Sequence, residues 1–176
     1  LFVFGSFGFF AAKQLSVHPV QALVTYNHRV SDKVEYGKCT VTIPPNHQKG
    51  MVEAPMLLKG QFISDPNKHI VLNEIHELTQ DQFLADLKDV QARKGKNLLV
   101  FIHGYNVSFE DAAKRTAQMQ FDLKFPGAAI FYSWPSQANW YGYKSDKERI
   151  EMSVGQIRHF LEDLAKRSGA ETINLV

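Results

Sequence analysis

Residues 97–102, NLLVFI, are apolar at every position after the first, and the chain then turns through His103, Gly104, Tyr105 and Asn106 into a helical pattern. A strand with one wet face alternates polar and apolar residues. One that is apolar on both faces must be covered on both, the condition of a parallel strand in an α/β sheet. That condition recurs: Gly127 opens a second buried strand, GAAIFY, and TINLV at 172–176 begins a third. Two helical patterns lie between them. Ser108 caps the first, with Asp111 at the reciprocal position. Its inner face of Phe109, Ala112, Ala113, Thr116, Ala117 and Phe121 is mostly small, which lets it sit close to a sheet. The second carries Ile150, Ser153, Val154, Ile157, Phe160, Leu161 and Leu164 at 3.6-residue spacing and stops at Gly169. Strand, helix, strand, helix, strand predicts a parallel sheet with right-handed crossovers.

Upstream, Thr79 with Gln82 three residues on is a capping box. The helix it starts has an apolar stripe of Phe83, Leu84, Leu87 and Val90, and Gly95 is its stop. HIVLNEI at 69–75 reads as a strand, and residues 1–66 as irregular and β-rich. The densest basic stretch, KDVQARKGK at 88–96, lies at a helix end, where cations suit the macrodipole. With a net charge of +2 and no face that gathers Lys and Arg, no nucleic-acid partner is expected. The single cysteine, Cys39, sits in an alternating strand pattern and reads as a small buried hydrophobe.

LFVFGSFGFFAA at the start is a 12-residue apolar run, too short to span a bilayer. Two readings stand. One is the tail of a secretory h-region or membrane anchor, making residues 1–23 a separate segment with membrane association and the protein exported or anchored. The other is an ordinary buried strand in a cytoplasmic protein.

Ligands in parallel sheets bind beyond the carboxyl ends of the strands. HGYN follows one strand and SWPS the next, so both are delivered to that edge. Acyl transfer needs donors for an oxyanion, usually two backbone N–H groups, one of which commonly comes from a His-Gly turn after an early central strand. In that role Gly104 leaves room for a carbonyl carbon to approach, Tyr105 supplies its N–H, and His103 ties the turn rather than acting as base. Asn106 supports the turn, and Trp134, Trp140 and Tyr141 are candidates for a pocket wall. Ser133 and Ser136 flank Trp134 and Pro135, and the proline blocks a nucleophile elbow. His69, Glu74, His76 and Glu77 lack ligand spacing, so no metal is expected, and nothing implies a cofactor.

LLVFIHGYNVSFEDAAKR, AIFYSWPS, YKSDKERIEMS and INLV together resemble the α/β-hydrolase family known as DUF900, esterase- and lipase-like proteins. VEYGKCTVTIPPNHQKGMVEAP is similar to that family's N-terminal stretch, and the resemblance spans residues 24–176, whereas VTYNHRV at 24–30 departs from its pattern. It implies an α/β-hydrolase domain over 24–176 with a β-rich N-terminal portion and a mainly parallel sheet. It also implies serine-nucleophile hydrolysis of a small-molecule or lipid carboxylic ester. Asp146 matches the family motif, with a structural role or a place at the active-site rim. In the family the strand matching INLV runs into the nucleophile elbow, and the acid and His follow later. The chain is therefore expected to be a fragment without a triad, inactive and aggregation-prone by itself. The competing class is a non-catalytic α/β-hydrolase-like binding module.

Overall fold

The computed structural model describes residues 18–26, 34–55, 63–134 and 143–176. Their elements are β1 (His18–Tyr26), β2 (Glu35–Ile43), β3 (Val71–Leu78), α1 (Gln80–Lys94), β4 (Asn97–Ile102), α2 (Phe109–Asp122), β5 (Gly127–Ser133), α3 (Tyr143–Arg167) and β6 (Thr172–Leu175). They form one mixed sheet in the order β3-β2-β1-β5-β4-β6. β3, β2 and β1 are an antiparallel meander, while β1, β5, β4 and β6 run parallel. Helices flank this mixed sheet, as the expected α/β-hydrolase architecture requires. β4 is buried from Leu98 to Val100, but β6, expected to be buried on both faces, is a largely exposed edge strand. β5 is buried along its whole length. β1 spans the expected boundary at residue 23, and residues 18–26 pair with β2 in the sheet. The earlier apolar run lies outside the described residues. No described helix is long and apolar enough to cross a membrane.

The local signals act as their chemistry requires. The Thr79 hydroxyl accepts the Gln82 N–H at 3.3 Å, and the Gln82 side chain accepts the Thr79 N–H at 2.8 Å. Gly95 ends α1 at φ 106, a conformation that disfavours any residue with a Cβ. β3 begins and ends later than HIVLNEI. His69 and Ile70 are held in the preceding turn by bonds to the Asp65 and Glu53 carbonyls at 2.8 and 2.9 Å, and pairing with β2 extends the strand to Leu78.

Alternation along the strands divides the core. Leu98, Val100, Ala128, Ile130 and Tyr132 pack with Phe83 and Leu87 of α1 and Phe160 and Leu164 of α3. Val24, Cys39, Val41 and Phe131 pack on the other face with Ala112, Ala113 and Ala117 of α2. Each fully buried large side chain contributes about 1.5–3 kcal/mol of apolar transfer. The smaller Cys39 is buried beside them, and burial pushes its thiol up to about 12, which leaves it unreactive. The chain leaves β4 for α2 on one face and leaves its neighbour β5 for α3 on the other. In open α/β sheets, adjacent parallel strands that lead to helices on opposite faces mark the edge where ligands bind.

At the opposite edge, residues 44–53 are tied to the end of α2. His47 lies between two carboxylates, Nδ1 2.9 Å from Glu53 and Nε2 2.9 Å from Asp122. The Gly50 N–H donates to Asp122 at 2.6 Å, and the Gln118 amide bonds to the same oxygen. Burial opposes charge on His47, but the bonds to Glu53 and Asp122 and their charges outweigh it and raise its pKa above the ordinary 6.5. Burial likewise opposes the Asp122 carboxylate, but the Gly50 N–H, Gln118 and His47 prevail and lower its pKa below 3.8. The raised His47 value gives stability that is complete below 6.5 and is lost as pH rises through the folded-state value. The lowered Asp122 value gives stability that is complete above 3.8 and is lost as pH falls through the folded-state value. The clamp is therefore strongest between those limits. His47→Gln is expected to cost about 2 kcal/mol at pH 6, as for hydrogen bonds to charged groups, and less at pH 8.5. Urea unfolding at the two pH values checks this; an equal loss at both would refute a charged clamp.

Candidate active site

β4 and β5 pair in register from Asn97 opposite Gly127 to Ile102 opposite Tyr132. The next residues, His103 and Ser133, therefore emerge side by side. His103 Nε2 lies 3.3 Å from Ser133 Oγ, and both residues are buried. His103 Nδ1 lies 2.9 Å from the Gly104 carbonyl oxygen. A carbonyl only accepts, so Nδ1 carries the proton in this contact. In the neutral ring Nε2 then accepts from the Ser133 hydroxyl.

Trp134 sits beneath the turn. Its indole N–H donates to the His103 carbonyl at 2.7 Å, and its ring stacks on the imidazole with centroids 5.1 Å apart. Tyr105 meets the same indole edge-on at 5.8 Å and is 42% exposed, so the turn presents Tyr105 outward and keeps His103 and Trp134 behind it. Asn106 takes φ 58, in the left-handed region that Asn tolerates better than most residues. It is Asn106, not Gly104, that carries the unusual backbone conformation; a Cβ at Gly104 would meet nothing within 4 Å. Beyond the turn, Ser108 accepts the Asp111 N–H at 3.1 Å and donates to the Asp111 carboxylate at 2.6 Å, which commits it to the start of α2.

The two stretches selected from sequence, HGYN and SW, thus meet at one sheet edge. Trp140, Tyr141 and Ser136 lie outside the described residues. Asp146 lies in the first turns of α3, and nothing is described of its side chain. Sequence reasoning missed the Ser133–His103 contact. Its signal was present: NLLVFI and GAAIFY are equal in length, and pairing them end to end sets residue 103 beside residue 133.

No group of three or more metal-ligating side chains occurs among the described residues. His76 pairs with Glu74 at 3.2 Å on the exposed strand β3. A cavity of about 120 Å³ lies between α1 and the sheet, lined by Lys38, Asp86 and Arg93, and the Lys38–Asp86 ion pair at 2.9 Å crosses it. It is away from the strand ends and too small for an ester substrate.

A family model described as alpha/beta hydrolase of unknown function, DUF900, matches residues 79–176. The chain belongs to the DUF900 family. The matched span starts at the cap of α1 and runs through β6, so it contains the whole parallel unit with both site stretches except β1. The N-terminal stretch that resembled the family lies before it. HGYN and SW lie at the carboxyl ends of β4 and β5, the edge at which parallel sheets bind ligands. No curated protein and no solved structure matches the chain.

Proposed function

We propose that this DUF900 protein hydrolyses carboxylic esters by a serine nucleophile, with the Tyr105 N–H as one of two oxyanion donors. The observation that carries the reading is the 2.9 Å contact between His103 Nδ1 and the Gly104 oxygen. The Gly104 carbonyl and the Tyr105 N–H belong to one planar trans peptide, so they point in opposite directions. Drawing the carbonyl back onto the buried imidazole turns the N–H away from the core. An N–H directed outward at the carboxyl end of a parallel strand, beside a glycine with open space, is what a developing oxyanion requires.

The nucleophile is assigned to the turn after the strand that matches β6, following the family's order. Bonds between β6 and β4, Val176 N–H to Val100 O at 2.9 Å and Ile102 N–H to Val176 O at 3.0 Å, favour this because they lead β6 to the edge beside His103. The Ser133–His103 contact suggests a second reading, with Ser133 as nucleophile. Its burial at 6% exposure and its place on a strand end before Pro135 oppose attack on a substrate. Asn106 supports the turn, Trp134 backs it, and Trp140, Tyr141 and Asp146 are assigned to the pocket and its rim. The substrate is a small-molecule or lipid ester, and membrane association would run through the apolar N-terminal residues.

A fluorophosphonate probe on the gene product tests this. The expected result is one labelled serine in the turn following β6, and no ester turnover by a polypeptide of residues 1–176. Absence of labelling would favour a binding module, and labelling of Ser133 would overturn the nucleophile assignment.

A further inference from the structure

We propose that the amino-terminal edge of the parallel strands holds a binding site for an organic acid. Its carboxylate would sit between Lys94 and Lys124, with the apolar body laid on Phe121 and Phe125. A groove of about 330 Å³ opens there, where the ends of α1 and α2 converge on the first residues of β1. β1, β5 and β4 run parallel, so this edge lies a strand's length from the one that carries HGYN, about 20 Å at 3.3 Å per residue. The floor is apolar, made by Pro19 and Val20 of β1 and the two half-buried phenylalanine rings. Lys94 and Lys124 line it from the helix ends. Both are exposed, and among the described residues neither makes an ion pair. The site stands independently of the ester-hydrolase reading.

Charge selects what fits. The carbonyl ends of α1 and α2 contribute about half a negative charge each, against one positive charge on each ammonium, so the groove keeps a net charge of about +1. That suits a monoanion. The carboxylate nearest along the chain, Asp122, does not fill the place, because it is committed to His47 and the Gly50 N–H. The last carbonyls of α2 already accept from the N–H groups of Leu123, Lys124 and Phe125, so they do not require a lysine. Two locally unfavourable features adjoin the groove. Lys124 takes φ 47 just past the end of α2, a position that ordinarily falls to glycine. Gln120, which also lines the groove, has its side-chain oxygen buried without a hydrogen-bond partner. Strained backbone concentrates where binding needs a particular side chain. An apolar lining with a few charged groups is the usual make-up of a small-molecule site.

The test is a titration of the gene product with octanoate, read by calorimetry and by amide NMR. Binding is expected to saturate and to weaken with added salt. The amides of Val20, Phe121 and Phe125 should shift while that of Tyr105 stays in place. Lys94→Gln and Lys124→Gln should each weaken binding about threefold and the double variant about tenfold, the scale of exposed ion pairs. Octanol, which has the chain without the charge, should bind about tenfold more weakly than octanoate. Lys124→Gly removes the ammonium but relieves the backbone, so it should bind more weakly and melt at a higher temperature. That opposite movement separates lost binding from lost fold. No saturation, shifts confined to the turn at Tyr105, or unchanged affinity in the double variant would overturn the proposal. Lysine-dependent binding to phosphatidylglycerol vesicles without binding of octanoate would make this edge a membrane surface and overturn it equally.

Discussion

Gly127→Ala is expected to leave little folded protein. A Cβ at this position would lie 2.0 Å from the Asn97 oxygen, 2.7 Å from its carbonyl carbon and 2.9 Å from Cε1 of Phe125. Two of those atoms are backbone of the neighbouring strand, which cannot rotate away as a side chain does. Asn97 is also held from both sides, donating to the Pro126 carbonyl at 3.1 Å and accepting from Thr172 at 2.6 Å. Relief therefore means parting β4 from β5 where their pairing begins, at the centre of the parallel unit. Overpacking a core costs about 1–3 kcal/mol and more when backbone must move; we expect at least 3 here, a large share of a typical 5–15 kcal/mol. Gly155→Ala, within α3 and with open space around its Cβ, should stabilise by about 0.5–1 kcal/mol. Urea unfolding of both compares them directly. A Gly127→Ala protein within about 0.5 kcal/mol of the parent, the range usual for surface changes, would mean this strand pairing is not as described.

Gly104→Val should do the reverse, sparing the fold and removing the activity. A Cβ there would meet nothing within 4 Å, so packing has little to lose. A branched group beside the Tyr105 N–H blocks the approach of a carbonyl carbon. The expected cost is about 2–4 kcal/mol of transition-state stabilisation, comparable to losing one oxyanion donor. That is roughly 10²–10³ in kcat/KM. Tyr105→Phe leaves the backbone N–H in place and should change turnover little. If HGYN is only a structural turn, activity will instead fall in step with thermal stability across the two variants. A well-folded and fully active Gly104→Val enzyme would rule out the oxyanion assignment.

The parts legible beforehand were those with local causes. Thr79 and Gln82 satisfy each other's backbone within one turn of chain, so the start of α1 was visible in four residues. The small inner face of α2 and the unbroken apolar runs of β4 and β5 likewise report burial directly, through periods of 3.6 and 2. The edge that holds the site followed from strand order alone. The N-terminal strands were read less well because β1 and β2 pair with strands distant in sequence, a partnership that no local pattern reports.

Tertiary structure decided which side chains meet. Asp122 ends α2, where a negative charge opposes the helix dipole. That misplacement was the one local sign of the clamp, and its partner His47 is 75 positions away. His103 and Ser133, 30 positions apart, touch because β4 and β5 pair in register. The sequence by itself determined the burial of β4 and β5, though not the exposure of β6, the caps of α1 and α2 and the edge to which HGYN is delivered. Local hydrogen bonds and side-chain period are properties of a few adjacent residues. Only the folded sheet decided the contact between His103 and Ser133 and the doubly paired His47. Each depends on a distance between chain segments that no short-range pattern encodes.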